Sequence, residues 1–340
     1  MHDVFLGICR RDIALLIKGL IKSTDLSLDK INYKLKNYNY GPDHGDKPPP
    51  ITEIQLKKKN VSMYASEMLT FIKHLPLIIG NDIPKKNKYW EWFLTLRKLI
   101  DCFLARTISK CVELEIEELV FFYLRQRREL FPNEKNLPKH HYLIHYARLI
   151  KNIGPLINVW CMKFEAKHRI LKSYAKNCHC KTNLPLSLAL KTQIIQTFYF
   201  LRNEPPKSFE HGKSFHILVN KLEKNLIRFS QKENIYDIKI VNWLKKSFYK
   251  YETGMLVRYS SYNQMPTFLQ ILCIIQEGDN FFFLGNIWYS IGFDEHMHGW
   301  GIKTDNTWVK ESVLDIAETK PMLKYVSEFD DVYYVIYNNF

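Results

Sequence analysis

The hydrophobic period of the chain changes near residue 251, and this change constrains the fold more than any other feature. Before that point, apolar residues recur at the three- and four-residue spacing of amphipathic helices, as in Ser66 to Ile79. After it they form short β-branched and aromatic runs, such as Phe281 to Ile291, which follows the turn Gly278-Asp279-Asn280. The sequence therefore predicts an α+β protein, with a mainly helical N-terminal body followed by a small antiparallel β barrel or sandwich.

This pattern divides the chain into three predicted parts. Residues 1–201 form the helical body. Residues 202–250 contain Pro205-Pro206 and Gly212, which predict a linker, and short helical stretches follow it. Residues 251–340 form an acidic, β-rich region.

Charge is distributed unevenly between these parts. The net charge is +14, but residues 1–250 carry 44 basic and 23 acidic residues, whereas residues 251–340 carry 5 and 12. Net charges of +21 over residues 1–250 and −7 over residues 251–340 favour a polyanionic partner, nucleic acid first and an anionic membrane surface second. No apolar run reaches the roughly 18 residues of a membrane span. The charge therefore favours a nucleic acid over a membrane surface and does not identify which nucleic acid binds.

Motifs of several enzyme classes do not occur in the sequence. It has no glycine-rich phosphate loop, no GxSxG elbow and no HExxH string. The seven cysteines are irregularly spaced, which favours free thiols in a reducing compartment. Cys178-His179-Cys180, with Cys161 upstream, lacks the matching second pair that a zinc site of this type needs.

One carboxylate stands out in the most basic part of the chain. Residues 135–203 contain twelve Lys or Arg and a single acid, Glu165. In a groove that binds phosphate, such a carboxylate could ligate Mg²⁺ together with phosphate oxygens. The alternative is an ion pair with Arg169, four residues further along a solvated helix face. Spacing alone does not decide between these two interpretations.

Histidines form a second group of candidates. His141 and His145 share one face of a predicted helix, a geometry that could hold a metal, but no carboxylate lies among them. Contact with phosphate or packing in the core is the favoured interpretation. His296 and His298 alternate along a predicted strand and are expected to form an exposed pair.

A set of short segments along residues 1–200 provides a more specific signal. In chain order these segments are Met1-His2-Asp3, Gly7-Ile8-Cys9-Arg10-Arg11-Asp12, Lys47-Pro48-Pro49-Pro50-Ile51, Ser66-Glu67-Met68, Leu137-Pro138-Lys139-His140-His141-Tyr142, Gly154-Pro155-Leu156 and Trp160-Cys161-Met162-Lys163-Phe164-Glu165-Ala166-Lys167-His168. The chain in this respect resembles animal transposase domain-containing proteins related to the CACTA (En/Spm) transposons.

The resemblance implies a ribonuclease H-like core of the DDE type, in which three carboxylates hold two metal ions, Mg²⁺ in an intact family member. The helical run from Val4 to Ile150 then corresponds to an insertion, and Glu165 to the third catalytic carboxylate and metal ligand. Residues 1–201 would thus contain the insertion and the C-terminal part of an incomplete core. We expect the basic and histidine side chains of this segment to bind nucleic acid: Lys139, His140, His141, Arg148, Lys151, Lys163, Lys167, His168, Arg169 and Lys172.

Two catalytic aspartates of the family have no counterpart in the sequence. The second belongs to an Asp-x-Met-His string whose last two residues correspond to Met1-His2, and the first lies further upstream. Because one carboxylate cannot organise two divalent cations, we expect a transposon-derived DNA-binding protein that is not catalytically competent as given and holds no cofactor. What the resemblance implies is DNA as the partner, no membrane, and a nuclear or otherwise cytoplasmic location, and a homo-oligomer stays open. The alternatives are an active transposase or nuclease whose aspartates precede Met1, and a helical protein-interaction module.

Overall fold

Helices make up the first two hundred residues, and antiparallel strands make up most of the rest of the described chain. The structure is a computed structural model that describes residues 2–109, 112–179, 181–202, 209–218, 237–246, 249–316, 320–326 and 332–337. A helical N-terminal body and an antiparallel C-terminal sheet confirm the predicted mixed class at this level of detail.

The helical body begins with a π-helical turn, Val4–Ile8, that continues directly into the first α-helix. The helices are α1 (Cys9–Ser23), α2 (Leu28–Asn37), α3 (Glu53–Lys57), α4 (Ala65–Ile79), α5 (Lys88–Leu104), α6 (Val112–Leu130), α7 (Pro138–Leu143), α8 (Tyr146–Ile153), α9 (Cys161–Asn177) and α10 (Leu184–Arg202). Ser27 caps α2 by accepting a hydrogen bond from the Lys30 amide at 3.1 Å, as its position before a helical pattern indicates.

Helices α1, α4 and α5 all contribute to the hydrophobic core of the helical body. Ile13, Phe71 and Trp90 are fully buried there, one from each helix. Burying a side chain of this size stabilises the fold by roughly 1.5–3 kcal/mol relative to its exposed state. The apolar faces that the sequence shows are therefore what holds these three helices together.

Two antiparallel sheets form the C-terminal region. Their strands are β1 (Phe209–His211), β2 (Ser214–Leu218), β3 (Asp237–Val241), β4 (Trp243–Lys246), β5 (Tyr249–Glu252), β6 (Leu256–Tyr262), β7 (Met265–Glu277), β8 (Asn280–Asp294), β9 (Gly299–Ser312), β10 (Lys324–Val326) and β11 (Tyr333–Val335). The larger sheet has the order β10-β11-β9-β8-β7-β3-β2, with β6 also paired to β7, and the smaller has the order β1-β4-β5. Shifts of register at Ile271, Asn286 and Ser290 bend the long strands, as β-bulges do.

The described parts of residues 202–250 correct the sequence prediction. Short helices were expected after the linker, but the chain forms β1 to β4 and the start of β5 there. The apolar residues of these strands, Val241 and Leu244 among them, pack into a core shared by both sheets. Strands this short carry too few alternations to show their period against a lysine-rich background. Pro205-Pro206 of the predicted linker lie outside the described residues.

The C-terminal region packs directly on the helical body. Residues 295–298, which form the turn between β8 and β9, lie against α4 and α5. Within this turn, His296 donates from Nε2 to the Gly80 carbonyl at 2.9 Å, and its own carbonyl accepts from the Trp90 indole at 3.1 Å. A second contact between the two regions is the ion pair of Lys320 with the buried carboxylate of Asp43. The two regions therefore share buried polar contacts as well as apolar ones.

Candidate functional site

Glu165 lies one turn into α9, and its carboxylate faces the start of the chain. Its Oε1 is 3.5 Å from His2 Nε2. Cys161 is four residues earlier on the same helix, so its thiol is on the same face. The donor atoms of these three residues, which we call the Glu165 cluster, all lie within 4.8 Å of one another. The side chains of His2 and Glu165 are 60% and 55% exposed, so the cluster is open to solvent.

Lys139 holds the chain segment that carries His2. Its ammonium group donates to the His2 carbonyl at 2.8 Å, and its aliphatic stem lies across Gly7. A methyl group at Gly7 would come too close to that stem, so the Lys139 side chain would have to shift to make room for it. The position of the His2 side chain thus depends on a residue 137 positions away.

Beneath this surface, a buried network is centred on Asp12. Its carboxylate accepts hydrogen bonds from Arg127 Nε at 3.0 Å, from His140 Nε2 at 2.9 Å and from the Tyr123 hydroxyl. The Leu137 amide donates to His140 Nδ1 at 2.9 Å, so the hydrogen that reaches Asp12 is carried by Nε2. We call Asp12, Tyr123, Arg127 and His140 the Asp12 network.

Burial and hydrogen bonding act in opposite directions on Asp12. Burial disfavours the charged carboxylate, but the hydrogen bond from His140 and the positive charge of Arg127 outweigh it. The pKa of Asp12 is therefore below its usual value, and the carboxylate stays charged. Burial also raises the pKa of the Tyr123 hydroxyl well above its usual value, so this group remains a donor to Asp12.

Segments that are far apart in the sequence meet at this end of the helical body. The contacts that join them are His2 with Glu165, Gly7 with Lys139, and Asp12 with His140. All six residues belong to the short segments on which the expected family resemblance rests. In the Lys47-Pro48-Pro49-Pro50-Ile51 segment, Ile51 instead bonds Asn32 through its amide and carbonyl groups.

A basic cleft runs between α9 and α10 and includes Glu165. Its lining contains the exposed lysines Lys172, Lys176 and Lys181, and its volume is about 760 Å³. Of these three lysines, only Lys172 is among the residues predicted to bind nucleic acid. All three belong to the run of twelve basic residues in 135–203, so the density of positive charge is the sequence feature that indicates them.

The predicted nucleic-acid residues divide between surface and core. His140 is only 1% exposed and is bonded to Asp12, so the prediction that it contacts nucleic acid is wrong. His141 and His145 are exposed, with their Nε2 atoms 3.3 Å apart. Arg148 and Lys151 are also exposed, although Lys151 pairs with Glu113 at 3.5 Å.

The remaining predicted contacts lie on α9. His168 is exposed there, as is Lys172. The side chains of Lys163, Lys167 and Arg169 lie outside the described part of the structure, so the alternative ion pair of Glu165 with Arg169 stays a prediction.

His296 and His298 are not the exposed strand pair that the alternation of residues predicted. They lie in the turn between β8 and β9, and His298 is 6% exposed. Its Nε2 is 2.7 Å from Asp101 Oδ2 on α5, where Asp101 also pairs with Arg97. Burial, together with the nearby charges of Arg97 and Lys98, lowers the pKa of His298 to about 2. No local pattern indicates a contact between residues 197 positions apart.

The chain was compared with protein-family models, with curated proteins and with solved structures, and none of them matches. Among the described residues, no helix combines the length and apolar character that crossing a membrane requires.

Proposed function

We propose that this protein is a DNA-binding protein derived from a DDE transposase, with its DNA-contacting surface around Glu165. The observation that carries the proposal is the convergence of His2, Lys139 and Glu165 beside the basic cleft between α9 and α10. In the resembling family, the second aspartate directly precedes this histidine segment and acts together with the third carboxylate. A 3.5 Å approach of His2 to Glu165 across 163 positions is consistent with that arrangement.

The ribonuclease H-like core stays part of this proposal. The helices from α1 to α8 correspond to the proposed insertion, and α9 to the helix of the third carboxylate. Within described residues 2–202 the chain forms helices and no strand, so the sheet of such a core is not among them. The proposal includes nuclear residence, which would follow from DNA binding.

The residues grouped around Glu165 do not fit Mg²⁺. Among the described residues, the donors that join this carboxylate are the His2 imidazole and the Cys161 thiol. Mg²⁺ requires oxygen ligands in octahedral geometry. We therefore assign no magnesium-dependent step to the chain and propose DNA binding without strand cleavage.

Three lysines of the cleft allow a direct test. We expect the variant Lys172→Gln/Lys176→Gln/Lys181→Gln to bind duplex DNA at least tenfold more weakly at low salt. Each lost phosphate contact should reduce the slope of log K against log salt concentration by about 0.9. The matched control is Lys58→Gln/Lys85→Gln/Lys86→Gln, which removes the same charge from exposed positions elsewhere on the helical body. Fluorescence anisotropy over a salt series measures both quantities. Equal weakening in the two variants, or no binding by the parent chain, would overturn the proposal.

A further inference from the structure

We propose that the Glu165 cluster is a zinc site. His2, Cys161 and Glu165 offer an imidazole nitrogen, a thiol sulfur and a carboxylate oxygen within 4.8 Å of one another. Zn²⁺ is bound by this mixture of nitrogen, sulfur and oxygen donors, whereas Mg²⁺ and Ca²⁺ are held by oxygen. The inference does not rest on DNA binding and can fail or hold independently of it.

The spacing of the donors is close to that of tetrahedral zinc. Bond lengths of about 2.0–2.3 Å place neighbouring ligand atoms roughly 3.3–3.7 Å apart. His2 Nε2 and Glu165 Oε1 are already 3.5 Å apart. Both side chains are more than half exposed, so they can rotate toward the Cys161 sulfur without disturbing the core.

Charge distinguishes this cluster from the other candidate metal site. A thiolate and a carboxylate together neutralise Zn²⁺, and Cys161 is the first residue of α9, where the helix dipole favours negative charge. His141 and His145 also bring two nitrogens together, at 3.3 Å, but a metal held by two neutral imidazoles would keep its full charge in a basic segment. The Glu165 cluster is therefore the site that zinc should prefer.

A neighbouring cleft provides space for a fourth ligand. Three protein donors leave one tetrahedral position for water, as in catalytic zinc sites. His2 and Cys161 line a mainly apolar cleft of about 350 Å³, together with Phe103 and Trp160. The Trp160 Nε1 is buried and makes no hydrogen bond among the described residues, which is uncommon for a buried donor. A water or small anion bound to the zinc would occupy this cleft, where the Trp160 Nε1 is available to donate a hydrogen bond.

Binding involves a proton but no electron transfer. The S–H bond of Cys161 breaks, the proton passes to the buffer, and the sulfur forms a bond to the metal. Calorimetry in buffers of different ionisation enthalpy should therefore show proton release on zinc binding.

Cobalt provides the test, because Co²⁺ occupies zinc sites and reports its ligands by absorption. The full chain is titrated with Co²⁺ under mild reduction. We expect a thiolate-to-metal band in the near ultraviolet and visible bands of tetrahedral intensity, both saturating at one equivalent. Stoichiometric Zn²⁺ should remove these bands, and a large excess of Mg²⁺ should leave them unchanged.

Single substitutions identify the ligands. Cys161→Ser should abolish the near-ultraviolet band, and His2→Asn and Glu165→Gln should each weaken Co²⁺ binding more than tenfold. Loss of a group that only supports a ligand typically weakens metal binding 10–100-fold, so direct ligands should reach at least this range. The matched controls are His141→Asn/His145→Asn and Cys178→Ser, which should keep the bands. Far-ultraviolet circular dichroism checks that each variant folds, and the exposed positions of His2 and Glu165 keep the test available if Cys161→Ser does not.

The outcomes divide clearly. A band that depends on His2, Cys161 and Glu165 supports the site. The proposal is overturned if the parent chain shows no thiolate band, if the band survives in Cys161→Ser, or if the control variants lose it. Because none of these measurements contains DNA, failure of the zinc site and failure of DNA binding give separate results.

Discussion

The Asp12 network and the Glu165 cluster lie at the same end of the helical body, yet one is buried and the other is open to solvent. Asp12 and its partners are buried, and their hydrogen bonds are directed at one another. His2 and Glu165 are largely exposed and lie at the edge of two clefts. The buried carboxylate fixes the segments around it, whereas the exposed one is where we propose that a ligand binds.

The largest expected effect comes from breaking the buried network. Asp12→Asn removes the charge that compensates buried Arg127 and should lower the free energy of unfolding by about 3–5 kcal/mol. Glu165→Gln changes an exposed carboxylate and should alter it by less than about 0.5 kcal/mol. Urea unfolding followed by circular dichroism measures both. Similar losses in the two variants would show that the comparison between buried and exposed carboxylates is wrong.

The free energy of unfolding should also depend on pH, because His74 and His298 are buried in other parts of the fold. Burial lowers the pKa of His74 to about 4 and that of His298 to about 2. The unfolded chain protonates these histidines near pH 6.5, before the folded chain does, so stability should fall as the pH drops from about 6.5 to 4. His298→Asn should flatten this dependence, and His141→Asn, at an exposed position, should leave it unchanged. Urea midpoints measured across this pH range give the slope.

A smaller effect should appear in DNA affinity. Glu165 is the single acid among residues 135–203, so Glu165→Gln should tighten DNA binding severalfold in buffer containing a chelator. The matched control is Glu53→Gln, which changes an exposed acid on α3. Anisotropy should show tighter binding for Glu165→Gln alone; tightening in both variants would indicate net charge rather than position.

The smallest effect tests the link between the two regions. Gly7→Ala should push the Lys139 stem aside and loosen the hold on His2, at a stability cost of about 1 kcal/mol or less. The affinity for Co²⁺ should fall in this variant by more than the loss of folding stability alone would produce. Lys139→Met, which removes the hydrogen bond to the His2 carbonyl, should weaken it similarly. Unchanged Co²⁺ affinity in both variants would show that Lys139 does not position the cluster.

Local patterns were sufficient for most helices but not for the contacts between them. The Ser27 cap and the apolar face of α4 are local features, and the structure agrees with both. The sequence does contain a local indication that His140 is buried. Leu137 and Leu143 lie three residues to either side of it and mark one helix face. The approach of His2 to Glu165 has no local signature, and only the family resemblance suggested that these segments meet.

The turn between β8 and β9 also limits how a chain of this kind can change during evolution. His298 in that turn is the partner of Asp101 on α5, and Lys320 further on is a partner of Asp43. Exchange of the C-terminal region for an unrelated one by recombination would leave two acidic residues of the helical body without these partners. Related chains should therefore replace positions 101 and 298 together, and likewise positions 43 and 320, so that the two halves of the molecule are inherited as a matched pair.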